Sequence, residues 1–210
     1  MARCPKTQAL GVATCTTALA VGSVVPHAED GVGAVATQAT TNVFHGANGL
    51  TLLRMGFEPR AVLNSTLTLE PHPEFRQVLI IDSHGQMAAY TGSKNTDWKE
   101  HVEGENFVIG GNNVMGREVI NEMTEAFRKS EGHPLHERLL QVIEAGEDAG
   151  GCSKPDRSAA MLVVGIEDEL RLFSRPRLDL RVDSSDEPVT ALRQLYESYK
   201  KFVMERRLTR

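Results

Sequence analysis

Gly31-Val32-Gly33-Ala34-Val35-Ala36-Thr37-Gln38-Ala39 decides the fold. The run carries no charge and no strict alternation of apolar with polar residues. That is the pattern of a strand buried on both faces. Its Gly and Ala positions let neighbouring sheets and helices approach closely. Ala159 to Val164 (AAMLVV) reads the same way. Two such strands, far apart in sequence, each require cover on both sides.

Working outward, Leu10 to Thr14 is predicted as a strand, led by the turn Pro5-Lys6-Thr7-Gln8, and Ala18 to Val25 as a second strand or an extended continuation. Gly46 to Met55 turns helical, with Leu50, Leu52 and Leu53 on one side. Glu58 to Leu69 is a second helix with Pro59 in its first turn, where the missing N–H costs nothing. Phe75 to Asp82, the loop Ser83-His84-Gly85-Gln86 and Met87 to Thr91 form a hairpin, and Asn106 to Gly111 is a further strand. Helices follow over Arg117 to Lys129 and His136 to Ala149, then strands over Ala159 to Val164 and Leu178 to Val182. A helix from Pro188 to Arg206, started by Asp186-Glu187-Pro188, closes the chain. Hairpins dominate the strand connections, so the sheets are expected to be mostly antiparallel. The fold expected is α+β: a four-layer αββα sandwich of two sheets between helical layers, in a single domain over 1–210.

The chain has 210 residues, 40% hydrophobic and 24% charged, with 18 Gly and 9 Pro, which are ordinary globular values. The net charge of -5 argues against nucleic acid as a partner. The basic cluster Arg206, Arg207 and Arg210 ends a helix, where cations complement the dipole. Cys4, Cys15 and Cys152 have neither CxxC nor paired His spacing. No metal and no cofactor are therefore expected, and reduced thiols fit a cytoplasmic protein. Between Lys6 and Glu29 lie 22 uncharged residues preceded by Arg3 and Lys6, which superficially resembles a signal peptide. Thr14, Thr16, Thr17, Gly22 and Ser23 interrupt it, and it is too polar for a membrane span, so no membrane partner is expected.

Chemistry is sparse. Gly110-Gly111-Asn112-Asn113 joins a strand to a helix, where a backbone can approach a ligand and an Asn amide can donate to an oxyanion, or where an Asn only shapes a left-handed turn. Residues 146–158 form a loop in which Lys154, Asp156, Arg157 and Ser158 either line a pocket or face solvent. His27 and His45 have no GxSxG beside them, and Cys15, Thr16 and Thr17 are nucleophiles without an assignable base.

The segments LGVAT and AVGSVVPHAEDGVGAVATQA (residues 10–39), RQVLIIDSHGQMAAYTG (76–92), GGNNVMG (110–116), AGEDAGG with RSAAMLVV (145–164) and RLDLRVDSSDEPVTALRQL (177–195) together resemble a family of uncharacterised proteins assigned to the N-terminal-nucleophile (Ntn) hydrolase superfamily. That resemblance implies a four-layer αββα fold and hydrolysis of a small amide or peptide-like substrate. The first residue of the mature chain, a Thr, Ser or Cys, would attack, with its own amine as base. Carried over by motif, Asn112 would be the catalytic oxyanion donor. Gln38, Arg157 and Ser158 would bind substrate. There are three departures, of which the last two point to altered or lost activity. Relatives begin with a strand carrying the proposed Thr, whereas this chain begins inside that strand, and removal of Met1 would expose Ala2. Relatives often carry Lys where Thr17 stands, and Asp with Arg-Gly where Cys152-Ser153-Lys154-Pro155 stands. A non-catalytic binding or structural module on the same fold is the alternative, and a homo-oligomer is left open.

Overall fold

A computed structural model describes residues 1–165 and 177–208, with side chains as far as Arg206. The side chain of Arg207, and Arg210 altogether, lie outside the described residues. Ten strands and five α-helices are present among them. In chain order they are β1 (Ala2–Arg3), β2 (Leu10–Thr16), β3 (Pro26–Glu29), β4 (Gly33–Ala39), α1 (Val43–Arg54), α2 (Pro59–Thr68), β5 (Arg76–Asp82), β6 (Met87–Thr91), β7 (Glu100–Gly104), β8 (Phe107–Gly111), α3 (Arg117–Lys129), α4 (Leu135–Asp148), β9 (Ser158–Val164), β10 (Arg177–Val182) and α5 (Pro188–Leu208). Six strands form one sheet in the order β10-β9-β2-β1-β8-β7, and four form the other in the order β3-β4-β5-β6. Every pairing is antiparallel.

Side-chain alternation builds the layers. On β9, Ala160, Leu162 and Val164 face the space between the sheets, while Ala159, Met161 and Val163 face the helices α3, α4 and α5. On β5, Leu79 and Ile81 point inward, while Val78 and Ile80 meet Leu53, Val62 and Leu63 of α1 and α2. The inter-sheet core is completed by Leu10 and Val12 of β2, Ala34 and Ala36 of β4, and Val108 of β8. The protein is thus an α+β sandwich with helices on both outer sides. Gly33 shows how tightly it closes: a Cβ there would lie 2.7 Å from the carbonyl oxygen of Ile81 and 2.7 Å from Leu53 of α1.

The uncharged stretch after Lys6 builds β2 and β3 and contributes Leu10, Val12, Val21 and Val25 to the core. Among the described residues, no helix is long and apolar enough to cross a membrane. One expectation is corrected. Ala18 to Val25 is not a strand but a turn containing a short 3-10 helix at Val21–Ser23. Ala20 adopts a left-handed conformation (φ 55°), which breaks any extended run. The Ser158 hydroxyl holds the turn from within, accepting from Val21 N at 3.0 Å and donating to the Ala18 carbonyl at 2.8 Å.

Candidate functional site

β1 is much shorter than its neighbours. Ala2 pairs with Gly11 of β2 on one side and with Phe107 of β8 on the other. Met1 continues the ladder: its nitrogen donates to the Val108 carbonyl at 2.9 Å, and Val108 N donates back at 3.0 Å. β2 runs on to Thr16 and β8 to Gly111. Between these two continuing strands, beyond Met1, a cleft of about 790 Å³ opens. Its length along β2, from Val12 opposite Met1 to Thr16, is that of about four extended residues. The bond from Cys4 N to the Ala9 carbonyl, 2.8 Å, sets the ladder's parity. By that parity the N–H and C=O of Ala13 and Cys15 face the cleft, as do those of Gly110 across from them.

The cleft lies where the inter-sheet core turns polar. Thr14, Gln38 and Gln77 occupy the inward positions that follow Val12 and Ala36 and precede Leu79 on their strands. Gln38 and Gln77 are directly paired across β4 and β5. Gln38 Nε2 donates to Thr14 Oγ1 at 2.8 Å and so ties the two sheets together at the cleft wall. Gln77, fully buried behind the lining, donates through Nε2 to Thr91 Oγ1, the Glu100 carbonyl and the Gly111 carbonyl at 2.9 to 3.2 Å. Its Oε1 accepts from Asn112 Nδ2 at 3.0 Å. Asn112 therefore stands on the cleft with one amide N–H fixed to a buried partner and the other without a partner among the described residues. The left-handed residue of this turn is the next one, Asn113 (φ 59°), whose backbone N–H reaches the Thr96 carbonyl.

Two regions of the lining have perturbed titration. Burial lowers the Met1 amine to about 5, so at neutral pH it is an uncharged base. At the far wall, Cys15, Cys152, Glu147 and Asp156 gather. Burial and the Asp156 carboxylate push the Cys15 thiol well up, and the same two causes raise Cys152 to about 12. Both thiols are protonated at neutral pH, which leaves Cys15 a poor nucleophile. Burial, then the charge of Asp156, raises Glu147.

The structure brings Asn112 and Gln38 together with Met1 on one cleft. Arg157 and Ser158 are elsewhere. Arg157 is exposed, and its backbone ties Thr16 to Ser185. Ser158 is buried and holds the turn described above. Neither lines the cleft. The loop over 146–158 does reach it, through Gly146, Glu147, Gly151, Cys152, Ser153, Lys154 and Asp156. His27 packs against Gly46, and His45 bonds Glu70 at 3.0 Å, both away from the lining. Gln77 escaped sequence reasoning. Its signal was a polar residue at an inward position of an otherwise apolar strand. Among the described residues no three His, Cys, Asp or Glu side chains are placed to hold a metal ion.

No curated protein matches the chain. Among solved structures, it is similar to protein SPO2555 from Silicibacter pomeroyi, whose crystal structure carries the family name DUF1028. The two are 33% identical over 94% of this chain and 86% of that one, with a TM-score of 0.84. The model of the same family of unknown function matches residues 1–192. The chain that folds around this cleft belongs to the family of unknown function DUF1028.

Proposed function

We propose that the cleft is the active site of an Ntn-type hydrolase acting on a small amide or peptide-like substrate. The observation that carries this reading is the course of β1, which leads end-on into the cleft between β2 and β8, with Asn112 and Gln38 on the lining. In this chemistry the hydroxyl or thiol proton of the first residue passes to its own amine. The oxygen or sulfur attacks the substrate carbonyl carbon, and the carbonyl oxygen takes up negative charge. The second amide N–H of Asn112 donates to that oxyanion. As it collapses, the C–N bond breaks and the leaving amine takes the proton. Water then releases the acyl group. Met1 carries a thioether and Ala2 a methyl group, so with either residue first the chain binds without cleaving. A Thr, Ser or Cys on a strand leading into Met1 would supply the nucleophile. Reduced thiols, all three free, fit a cytoplasmic setting for this activity.

The second reading is a non-catalytic binding module. It is favoured by the protonated state of Cys15 and by the commitment of the Thr14 hydroxyl to Gln38. The test compares a chain opening on Met1 with one whose upstream strand, about four residues long to match the cleft, opens on Thr. Under the hydrolase reading only the second hydrolyses acyl anilides, and acetylating its α-amine abolishes turnover. Binding without turnover in both forms selects the binding module.

A further inference from the structure

We infer that the outer face of the α1–α2 layer docks a second copy of this chain, giving a two-fold dimer. The inference goes beyond the reading above and does not depend on it. A helix on the outside of a sandwich ordinarily turns its apolar residues inward and its charges to water. α3 does so: its exposed residues include Arg117, Glu118, Glu122, Arg128 and Lys129. α1 does the reverse. Its buried side is His45, Gly46, Gly49 and Leu53, and the two glycines let it lie against His27 and Val35 of the sheet. Its exposed side carries Val43 and Phe44, and Phe44 is 67% exposed. Met55 and Phe57 are exposed in the turn that follows, and Leu69 at the end of α2 is 84% exposed. The bonds of Asn42 and His45 with Glu70 bring the start of α1 beside the end of α2. Val43, Phe44 and Leu69 therefore lie at one end of the layer, with Met55 and Phe57 at the other. Between them the exposed positions are small and uncharged, Ala47 and Thr51 on α1 and Ala61, Ser65 and Thr68 on α2. From Val43 to Leu53 and from Ala61 to Leu69 there is no Asp, Glu, Lys or Arg, although 24% of the chain is charged.

Charge and area select the occupant. A face without charge can be laid on its own copy with no like charges opposed, and an isologous dimer brings the same patch to both sides. A membrane surface would call for a basic rim. The two cations of this segment, Arg54 and Arg60, are instead paired with Glu29 and Glu103, and the chain carries a net charge of -5. At about 200 Å² for a fully exposed side chain of this size, the five large apolar residues leave roughly 500 Å² bare. That already matches the largest apolar patch of an ordinary monomer. With the small residues between them, each copy offers on the order of 800 Å², which is what a dimer of standard size buries per partner. α5 also exposes apolar residues, Leu195, Phe202 and Met204, but the charged Glu197, Lys201 and Glu205 are exposed among them.

The test is sedimentation equilibrium of the folded chain from about 0.1 to 100 μM, the weak end of the range that interfaces of this size cover. The inference predicts a reversible monomer–dimer equilibrium. Phe44→Glu and Leu69→Glu should each raise the dimer dissociation constant at least about thirtyfold, and Phe202→Glu on α5 should leave it unchanged. Both positions on the face are exposed, and a carboxylate in the first turn of α1 suits the helix dipole, so the variants keep the fold. Should one of them fail to fold, the other reads the same constant. A chain that is monomeric throughout that range, a dimer that survives both substitutions, or one broken by Phe202→Glu instead would overturn the inference. So would a monomer that binds phosphatidylcholine–phosphatidylglycerol vesicles and loses that binding in Phe44→Glu, which would assign the face to a membrane. No outcome reads turnover, so the hydrolase reading stands or falls separately.

Discussion

Asn112 was legible as a candidate because two glycines and a strand precede it, but its partner was not, because Gln77 lies 35 residues away on the other sheet. That partner changes what a substitution does. Asn112→Ala leaves Gln77 Oε1 buried and unsatisfied, so the variant is expected to lose about 1–3 kcal/mol of stability as well as ligand affinity. Urea denaturation checks this, and a Gln77→Met background should remove most of the stability loss if the hydrogen bond is its cause. A second buried group gives a pH prediction. Glu70, with its side chain 1% exposed, accepts from Arg76, Asn42 and His72 N and pairs with His45. The Arg76 bond foremost, with help from the others against burial, holds the carboxyl far below its ordinary value of 4.5. A carboxylate with a depressed folded pKa stabilises fully above the unfolded value and loses that contribution as pH falls below it. Stability should therefore drop on acidification below about 4.5. In Glu70→Gln that part of the slope should vanish, with about 3–5 kcal/mol lost at neutral pH because Arg76 is left without its buried partner. The thiols differ in the same way. At Cys4 burial acts upward but is outweighed by hydrogen bonds from Thr7 and Lys6, so its pKa lies below the usual value. Alkylation followed by mass spectrometry at neutral pH should label Cys4 before Cys15 and Cys152; labelling of Cys152 first would contradict the buried carboxylate beside it.

At the scale of elements, the doubly buried strands announced themselves, since runs such as GVGAVATQA and AAMLVV leave no solvent face. The polar ones did not. β7, Glu100-His101-Val102-Glu103-Gly104, is an edge strand with charges at both ends, and it exists because β8 folds back on it through a turn containing left-handed Asn106. β1, with two residues, is too short for any periodicity to register, yet it decides where the cleft lies. The turn at 18–25 was misread because Val21, Val24 and Val25 favour strands locally. The buried Ser158 hydroxyl, 137 residues beyond Val21, overrides that preference. Gly33 tests the packing. Its backbone is in a strand, so Gly33→Ala is not penalised by conformation, but the added methyl meets the Ile81 carbonyl, which belongs to the paired strand and cannot swing away. A loss of about 1–3 kcal/mol is expected, visible as a lower urea midpoint with unchanged slope.

For the whole molecule, the two sheets share an apolar core at one end and become polar at the other. There Thr14, Gln38, Gln77 and Asn112 meet around the end of β1. The layer order was readable because strand burial and helix count constrain it. The cleft was not, because it depends on registers: Ala2 opposite Gly11 and Phe107, and Gln38 opposite Gln77. The same geometry joins the end of β1, an amide donor and the Asp156 carboxylate along one wall-to-wall opening. The most direct test of the claim that this opening is the functional site is an amide-resolved NMR titration with a simple dipeptide amide. The account predicts saturable shifts confined to residues 13–17, Gln38, 110–113 and 151–156, attenuated in Asn112→Ala. Saturable shifts centred elsewhere, or none on the cleft at concentrations that saturate another surface, would contradict it.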